Sequence, residues 1–353
     1  MDKIIKLGIV GLGTMAKQLA DAVVKGEGME LYAVCTRNTE KLSNFASEWG
    51  VPKTFTNYDD MLADEELDGV LIVTPNYLHA QMTISALNAG KHVFCEKPPA
   101  TNAKDALAMT ETAKKTGRLL VYGWPFRFSA KHAFIRDLRD QGMFGDFYYG
   151  KAGIVCRCND PGGWFGVSEY SGGGPLIDRG SHIIDIAMLT MGDFEPVSVF
   201  ARTFNRVENL DNIKCIDGYR SDSQDCSVKD VEEMASVMIN SVNGACLIIE
   251  ISNSSHIKED SLYMSYLGSK GGVEIDPEIS IHTSMYDYLF NIQPVINCGQ
   301  FDWGQGVLDE VQHFADCIRG KSDCIISHED GYKLMRVIEA AFRSAKSGQV
   351  EFL

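Results

Sequence analysis

Short apolar runs alternate with segments of helical periodicity through the first third of the chain, and this alternation most restricts the possible fold. The apolar runs are rich in β-branched residues, which predicts short strands buried on both faces; they cover residues 4–10, 31–35, 70–73, 92–95 and 119–122. Helical spacing occupies residues 15–24, 39–49, 78–89 and 104–115. Strands and helices in regular alternation form βαβ crossovers, so we predict an α/β domain over residues 1–123, with a doubly wound parallel sheet.

A different pattern follows, and we predict a second, α+β domain over residues 124–353. Its predicted helices cover residues 130–141 and 175–191, and its predicted strands cover residues 147–155, 197–204, 233–241, 245–252, 262–267, 272–275 and 279–282. Asn243-Gly244 between two alternating runs signals a hairpin, which favours a mostly antiparallel sheet. Helical patterns at 306–319 and 329–346 either cover this sheet or return to the first domain. Residues 208–231 are predicted to form a long surface loop.

The charge balance restricts the partners of the chain. Lys and Arg number 33 against 48 Asp and Glu, which gives a net charge of −15. This charge repels nucleic-acid backbones and anionic membrane surfaces, so we expect neither as a partner. No apolar stretch reaches the ~18 residues that span a bilayer. Cysteines such as Cys35, Cys95 and Cys246 lie in apolar runs, so most are expected to be reduced, as in the cytoplasm.

The first predicted strand runs directly into a glycine motif that opens the first helix. In this motif, the first glycine permits a tight turn, the second lets the backbone approach a pyrophosphate, and a small third residue lets helix and strand pack closely. The position between a strand and a helix predicts a Rossmann-type dinucleotide site. The residues expected to form it are Gly11, Gly13, Thr14, Met15 and Ala16.

The end of the second predicted strand bears on the choice between NAD and NADP. NAD-binding domains usually place an acidic residue there, whereas this chain reads Cys35-Thr36-Arg37-Asn38. Arg37 can pair with the 2′-phosphate of NADP, or it can stack on the adenine and leave NAD equally acceptable. We expect Thr36 and Arg37 to contact the cofactor, and the missing acid favours NADP slightly.

Polar tripeptides follow two further predicted strands. Thr74-Pro75-Asn76 follows the strand at 70–73, and Glu96-Lys97-Pro98 follows the strand at 92–95. Open α/β sheets bind ligands at the carboxyl ends of their strands, which is where both tripeptides lie. The prolines restrict the backbone around Lys97, so its ammonium group is either held at a site or is an ordinary surface charge.

Three glycines precede a predicted helix that carries two acids and a histidine. Glycines 172–174 are followed by Pro175, and helical spacing then places Asp178, His182 and Asp185 within about 60° of one another on one face. An aspartate one turn before a histidine can fix its tautomer and make it a better proton acceptor. The alternative is an acid favoured by the helix dipole beside a structural histidine. The spacing shows no third ligand for a metal, and Cys156-Arg157-Cys158 has no second ligand pair, so no metal site is predicted.

Together these motifs resemble the Gfo/Idh/MocA oxidoreductases, the family of glucose–fructose oxidoreductase and inositol dehydrogenase. The resemblance covers essentially the whole chain. It implies a Rossmann domain followed by a domain with a large open sheet, which commonly forms homodimer or homotetramer interfaces. It also adds residues to the expected cofactor site. That set comprises Thr74, Pro75, Asn76, His79, Glu96 and Lys97.

The resemblance implies an NAD(P)-dependent transfer of hydride between a nicotinamide and a secondary hydroxyl or ketone of a sugar, glycoside or cyclitol. Lys97, Asp178 and His182 would be the catalytic residues. In this interpretation His182 accepts the hydroxyl proton, Asp178 orients it, and Lys97 stabilises the developing alkoxide. The roles of Lys97 and His182 are interchangeable. Asn76 and Glu96 would lie near the nicotinamide ribose.

Aromatic residues and an arginine near these motifs suggest a substrate site. Trp124, Trp164 and Tyr170 can stack on sugar or aryl rings, and Arg127 can donate hydrogen bonds to hydroxyls; together with Asp178 and His182 they form the expected substrate-binding set. The alternative is that these aromatics belong to the core or to a subunit interface.

Two other functions compete with a dehydrogenase. In one, bound NAD oxidises a sugar transiently and is regenerated, so a glycoside is cleaved with no net redox change. In the other, the protein is a non-catalytic sensor that binds a dinucleotide. The joint presence of Lys97, Asp178 and His182 argues against the sensor.

Overall fold

A computed structural model describes residues 3–207, 221, 228–296 and 301–353 of the chain. The chain divides into two compact units: the first combines Met1–Pro125 with Asp302–Met335, and the second combines Phe126–Phe301 with Arg336–Leu353. Of the two options for the helical pattern at 306–319, the structure therefore shows a return to the first unit. Most of the predicted loop at 208–231, namely 208–220 and 222–227, lies outside the described residues.

The first unit is built around a six-stranded parallel sheet, as the alternating pattern predicts. The strand order is β3-β2-β1-β4-β5-β6, with every neighbouring pair parallel. In chain order the elements are β1 (Ile5–Val10), α1 (Thr14–Lys25), β2 (Met29–Cys35), α2 (Thr39–Trp49), β3 (Lys53–Phe55), α3 (Tyr58–Leu62), β4 (Gly69–Ile72), α4 (His79–Asn88), β5 (His92–Cys95), α5 (Ala103–Thr116) and β6 (Leu120–Tyr122).

Local chemistry explains where these helices begin and end. Asn38 caps α2 by accepting a hydrogen bond from the backbone N–H of Lys41, and Asn102 caps α5 in the same way. Gly50 and Gly117 end the two helices in the left-handed conformation that favours glycine. The sequence analysis missed β3 and α3 because both are short and carry no clear periodicity.

The second unit is built around a nine-stranded mixed sheet, and the predicted mostly antiparallel pairing is confirmed. Its order is β14-β13-β12-β11-β7-β10-β9-β8-β15, in which β7 and β10 are parallel. The elements are α6 (Ala130–Asp140), β7 (Phe147–Val155), α7 (Ser168–Ser171), α8 (Pro175–Asp178), α9 (Gly180–Met191), β8 (Pro196–Phe204), β9 (Met234–Ser241), β10 (Cys246–Ser252), β11 (Ser261–Gly268), β12 (Gly271–Asp276), β13 (Ser280–Met285) and β14 (Tyr288–Ile292). The chain then closes with α10 (Trp303–Ile318), α11 (His328–Ser347) and β15 (Glu351–Phe352).

The predicted hairpin at Asn243-Gly244 is confirmed, whereas the predicted continuous helix over residues 175–191 is wrong. Strands β9 and β10 pair antiparallel on either side of the hairpin turn. The helix is instead divided at Arg179 into α8 and α9. The Ser181 hydroxyl donates to the carbonyl oxygen of Asp178 at 2.9 Å, and the backbone N–H of His182 donates to the carbonyl of Arg179. In a regular helix the backbone N–H of residue 182 would donate to the carbonyl of residue 178. The two hydrogen bonds just described take the place of that bond.

Within the described residues, no helix is both long and apolar enough to cross a membrane. Six of the described cysteines have free thiols, as the sequence analysis expects for most of them. Cys158 departs from that expectation because it is disulfide-bonded.

Candidate active site

The first unit places the glycine motif where β1 meets α1. Gly11 has a φ of +88°, and a Cβ atom there would lie 2.7 Å from the carbonyl oxygen of Val73. Both the backbone conformation and this close approach therefore require glycine at this position. Gly13, which has no side chain, is the N-cap of α1, so the positive end of the helix dipole faces this turn.

A cavity of about 510 Å³ lies at the carboxyl ends of β1, β2 and β4. Five predicted cofactor residues line it, namely Gly11, Thr36, Arg37, Thr74 and Pro75. The sequence analysis missed further lining residues, including Asn57, Tyr58, Asp59, Tyr77 and Gln81. The remaining predicted cofactor residues do not line this cavity; they are Gly13, Thr14, Met15, Ala16, Asn76, His79, Glu96 and Lys97.

His79 connects the two polar loops at this edge of the sheet. Its Nδ1 lies 2.8 Å from the carbonyl oxygen of Pro98, and its Nε2 lies 2.8 Å from that of Thr74. The ring is almost completely buried, and burial lowers its pKa. The structure therefore places His79 as a link between the loops after β4 and β5.

Glu96 is a buried acid beside the half-exposed Lys97. Burial raises the pKa of Glu96 to about 7, while the positive charge of Lys97 and a hydrogen bond from its backbone N–H act in the opposite direction. The Glu96 carboxyl packs against Gly123, where a Cβ atom would lie 3.0 Å from Oε2. Its Oε1 atom is buried and makes no hydrogen bond within the described part of the chain.

A second buried acid, Glu310 on α10, faces the same region of the first unit. Burial raises its pKa well above the ordinary value, the negative charge of Glu96 adds to this shift, and the backbone N–H of Trp124 opposes it. Two buried carboxyls of this kind are stable when at least one holds a proton. Sequence reasoning missed Glu310 because it lies far from Glu96 along the chain and looks like an ordinary helix residue.

The second unit holds the predicted acid and histidine. Asp178 is half-buried at the end of α8, and His182 is buried in the first turn of α9. The edge of the Phe126 ring meets the His182 imidazole, with 5.9 Å between ring centroids and an interplanar angle of 77°. The carboxyl of the half-buried Glu232 accepts hydrogen bonds from the backbone N–H groups of Gly174 and Leu176 and so fixes the glycine segment. Sequence reasoning missed this contribution of Glu232.

Asp185 contacts an arginine in the second unit. Its carboxylate forms a two-pronged ion pair with Arg127, with 2.8 Å from Nε and 2.5 Å from Nη2. Both side chains are almost fully buried, at 5% and 4% exposure. This guanidinium, predicted to bind substrate hydroxyls, is therefore held within the second unit by Asp185.

The predicted aromatic residues differ in exposure. Trp124 is 1% exposed and packs on Tyr122, with 5.1 Å between the ring centroids, so it belongs to the core of the first unit. Trp164 stacks on Phe165 at 3.9 Å and is half-buried, and Tyr170 is 38% exposed. Of these three aromatics, Trp164 and Tyr170 are the ones with surface available to a ligand.

Comparison with known proteins identifies the family. Residues 5–124 match the oxidoreductase family with an NAD-binding Rossmann fold, and residues 136–352 match the C-terminal alpha/beta domain of the same Gfo/Idh/MocA family. The chain therefore belongs to this family. It is an oxidoreductase that uses a nicotinamide dinucleotide.

Individual relatives match over nearly the whole chain. D-glucoside 3-dehydrogenase of Escherichia coli (strain K12) is 30% identical over 353 residues, which covers 98% of this chain and 96% of the relative. The scyllo-inositol 2-dehydrogenase (NAD(+)) of Bacillus subtilis (strain 168) is 26% identical, covering 99% and 96%. Among solved structures, a levoglucosan dehydrogenase complex with NADH matches with a TM-score of 0.85 at 21% identity, covering 99% and 98%.

The buried acid pair predicts a pH-dependent stability. Glu96 and Glu310 hold protons in the folded state at pH values where the unfolded carboxyls are ionised, so stability should fall as pH rises from about 4.5 towards 7 and above. Glu310→Gln removes the carboxyl proton at this position and the charge repulsion between Glu310 and Glu96. It keeps a carbonyl oxygen that can accept a hydrogen bond. Between pH 5 and 8, the free energy of unfolding of the wild type should fall with pH more steeply than that of this variant, by up to about 1.4 kcal/mol per pH unit.

Urea unfolding at several pH values measures this difference. Glu111→Gln is the matched control because Glu111 is an exposed acid on α5, and its pH profile should parallel that of the wild type. Parallel profiles for Glu310→Gln and the wild type would contradict the assignment of a proton to Glu310 in the folded state.

Proposed function

We propose that this enzyme oxidises a secondary ring hydroxyl of a D-glucoside, with transfer of hydride to the nicotinamide. The full-length similarity to a D-glucoside 3-dehydrogenase is the observation that supports this class of substrate. The polar groups of the first unit fit a dinucleotide. Gly11 provides a close backbone approach, and the buried Thr74 Oγ1 and Glu96 Oε1 make no hydrogen bond within the described residues. A bound dinucleotide would supply the hydride acceptor.

In this proposal, side chains of the protein accept the proton that the substrate hydroxyl loses. His182 accepts the hydroxyl proton, and Asp178 orients the imidazole. Lys97 stabilises the negative charge that develops on the substrate oxygen. Lys97 and His182 can exchange these roles. His182 is buried against the edge of the Phe126 ring, which fixes one side of the imidazole.

Variants of the two proton-handling residues test this assignment. We expect His182→Ala and Lys97→Met each to lower kcat for methyl D-glucoside oxidation by about 10²–10⁴-fold, the usual contribution of a general acid or base. In His182→Ala the dissociation constant of the dinucleotide should change less than about threefold, because His182 is assigned to the substrate and not to the cofactor.

Exposed residues of the same types provide matched controls. His256→Ala and Lys104→Met should leave kcat unchanged, since both side chains lie on the surface. Turnover by His182→Ala at the wild-type rate would refute its role. Release of the aglycone without net nicotinamide reduction would instead identify the redox-neutral cleavage.

We also propose that NADP is preferred over NAD. The exposed Arg37 lines the cavity at the end of β2, where no carboxylate follows the strand. A guanidinium at this position pairs with a 2′-phosphate. Asp59 also lines the cavity and would favour NAD if it contacted the ribose.

The cofactor preference is measured by calorimetric titration of both dinucleotides. Arg37→Ala should weaken NADP⁺ binding about tenfold or more, which is about 1.4 kcal/mol, and should change NAD⁺ binding less than about twofold. Tighter binding of NAD⁺ than of NADP⁺ by the wild type, with equal losses for both in the variant, would contradict the proposal.

A homo-oligomer formed through the second sheet is a further part of the proposal. The cross-strand register places Met238 and Ile248 in one row and Cys246 and Leu267 in the next, all on the same face. Met238 and Leu267 are 41% and 45% exposed. Exposed apolar groups in adjacent rows favour burial against another subunit.

Light scattering after size exclusion tests the interface. The wild type should elute as a dimer or tetramer, and the double variant Met238→Lys/Leu267→Lys should elute as a monomer because it replaces two exposed apolar side chains of this face with charges. Val24→Lys, on the exposed side of α1, is the control and should keep the wild-type mass. A monomeric wild type would refute the proposed assembly.

A further inference from the structure

Three metal-ligating side chains converge in the first unit. His313 and Cys317 lie on α10, and Cys324 lies in the segment that follows this helix. One potential ligand atom from each lies within 4.8 Å of the other two, and all three residues are half-buried. They are separate from the cavity that contains the predicted cofactor residues. Their spacing, His-x3-Cys-x6-Cys, is not one of the common zinc motifs, which is why the sequence analysis did not select it.

The geometry is close to that of a tetrahedral site. The Sγ atom of Cys317 lies 3.4 Å from Nε2 and 3.9 Å from Nδ1 of His313. Bonds of about 2.3 Å to sulfur and 2.1 Å to nitrogen, at a tetrahedral angle, separate two such ligands by about 3.6 Å. The distance to Nε2 is close to this value, so the sulfur and this nitrogen are already spaced as two ligands of one ion would be.

The fold brings the third ligand back to the helix. His313 and Cys317 are four residues apart and therefore lie on one face of α10. The helix ends at Ile318, and Gly320 adopts a φ of +70°, which turns the chain. The backbone N–H of Ile325 then donates to Nε2 of His313 at 3.1 Å. That contact identifies Nε2 as the unprotonated ring nitrogen, and a metal ion bound there would take the place of the Ile325 N–H at its lone pair.

We propose that His313, Cys317 and Cys324 bind a zinc-class divalent ion, with water as the fourth ligand. Two sulfurs and an imidazole select Zn²⁺ over Mg²⁺ or Ca²⁺, which require oxygen ligands. Binding forms two metal–sulfur bonds and one metal–nitrogen bond and releases the two thiol protons to solvent. The oxidation state of the metal and of both sulfurs is unchanged. The ion ties the end of α10 to the segment that follows it, independently of the proposed substrate.

A disulfide between Cys317 and Cys324 is the competing use of the two thiols. It would require an external oxidant, and it would leave the His313 ring with the hydrogen bond from the Ile325 N–H rather than a ligand role. The imidazole lies against the Cys317 sulfur and accepts a hydrogen bond from the chain segment next to Cys324. A nitrogen ligand beside the two sulfurs favours metal binding over the disulfide.

Metal loading of the full-length, reduced protein tests the proposal. After exposure to Zn²⁺ and removal of excess metal, we expect one bound zinc per chain by mass spectrometry of the elements. Loading with Co²⁺ should produce a thiolate-to-metal charge-transfer band. Cys317→Ser and Cys324→Ser should each weaken zinc binding at least tenfold and abolish that band, and His313→Ala should weaken binding similarly.

The matched control is Cys246→Ser, which removes a half-buried thiol in the second unit and should bind zinc as the wild type does. Circular dichroism verifies that every variant is folded. Absence of stoichiometric zinc, or binding that survives in both Cys317→Ser and Cys324→Ser, would overturn the proposal. A protein isolated with Cys317 linked to Cys324, and unable to bind zinc after reduction, would establish the disulfide instead.

Discussion

The arrangement of β1, β4 and β5 as parallel neighbours is the constraint on which the cofactor side of this enzyme depends. Because the three strands run in the same direction, the segments that follow them emerge at one edge of the sheet. A side chain at Gly11 would collide with the carbonyl of Val73. The residue that follows β4 therefore restricts this position in the turn after β1 to glycine. His79 then joins the loops after β4 and β5.

Buried charged and polar groups are accommodated differently in the two units. In the first unit, burial favours the protonated forms of Glu96 and Glu310, and the positive charge of Lys97 opposes this effect at Glu96. In the second unit, Asp185 is paired with Arg127, which compensates for the loss of water around both ions. His182 lies in the same unit, in an apolar surrounding provided partly by Phe126. In each unit, the fold therefore determines where the charged side chains lie.

The elements with a strong local pattern could be predicted from the sequence. Residues 92–95 and 39–49 form a strand and a helix with the predicted bounds, because apolar runs and helical spacing are local signals. The edge strand β14 was not predicted because it is short and largely exposed. The division between α8 and α9 coincides with the hydrogen bond from the Ser181 hydroxyl to Asp178, a side-chain contact that periodicity does not reveal.

The candidate site was partly predictable for the same reason. Gly11, Thr74 and Arg37 line the cavity because they follow strands that the pattern predicted as members of one parallel sheet. The ion pair between Arg127 and Asp185 joins residues 58 positions apart, and the helical wheel alone assigned Asp185 to the chemical face. Glu310 reaches Glu96 only through the return of α10 to the first unit. Long-range contacts of this kind carry no signal in one sequence.

Transfer of a labelled hydrogen tests the central claim most directly. The enzyme would be incubated with oxidised dinucleotide and a methyl D-glucoside deuterated at its ring carbons, and the mass of the dinucleotide would be measured. Oxidation of a secondary ring hydroxyl predicts a reduced nicotinamide that carries one deuterium, together with a keto-glycoside. A dinucleotide that binds but stays oxidised with glucosides, other sugars and cyclitols would contradict the account.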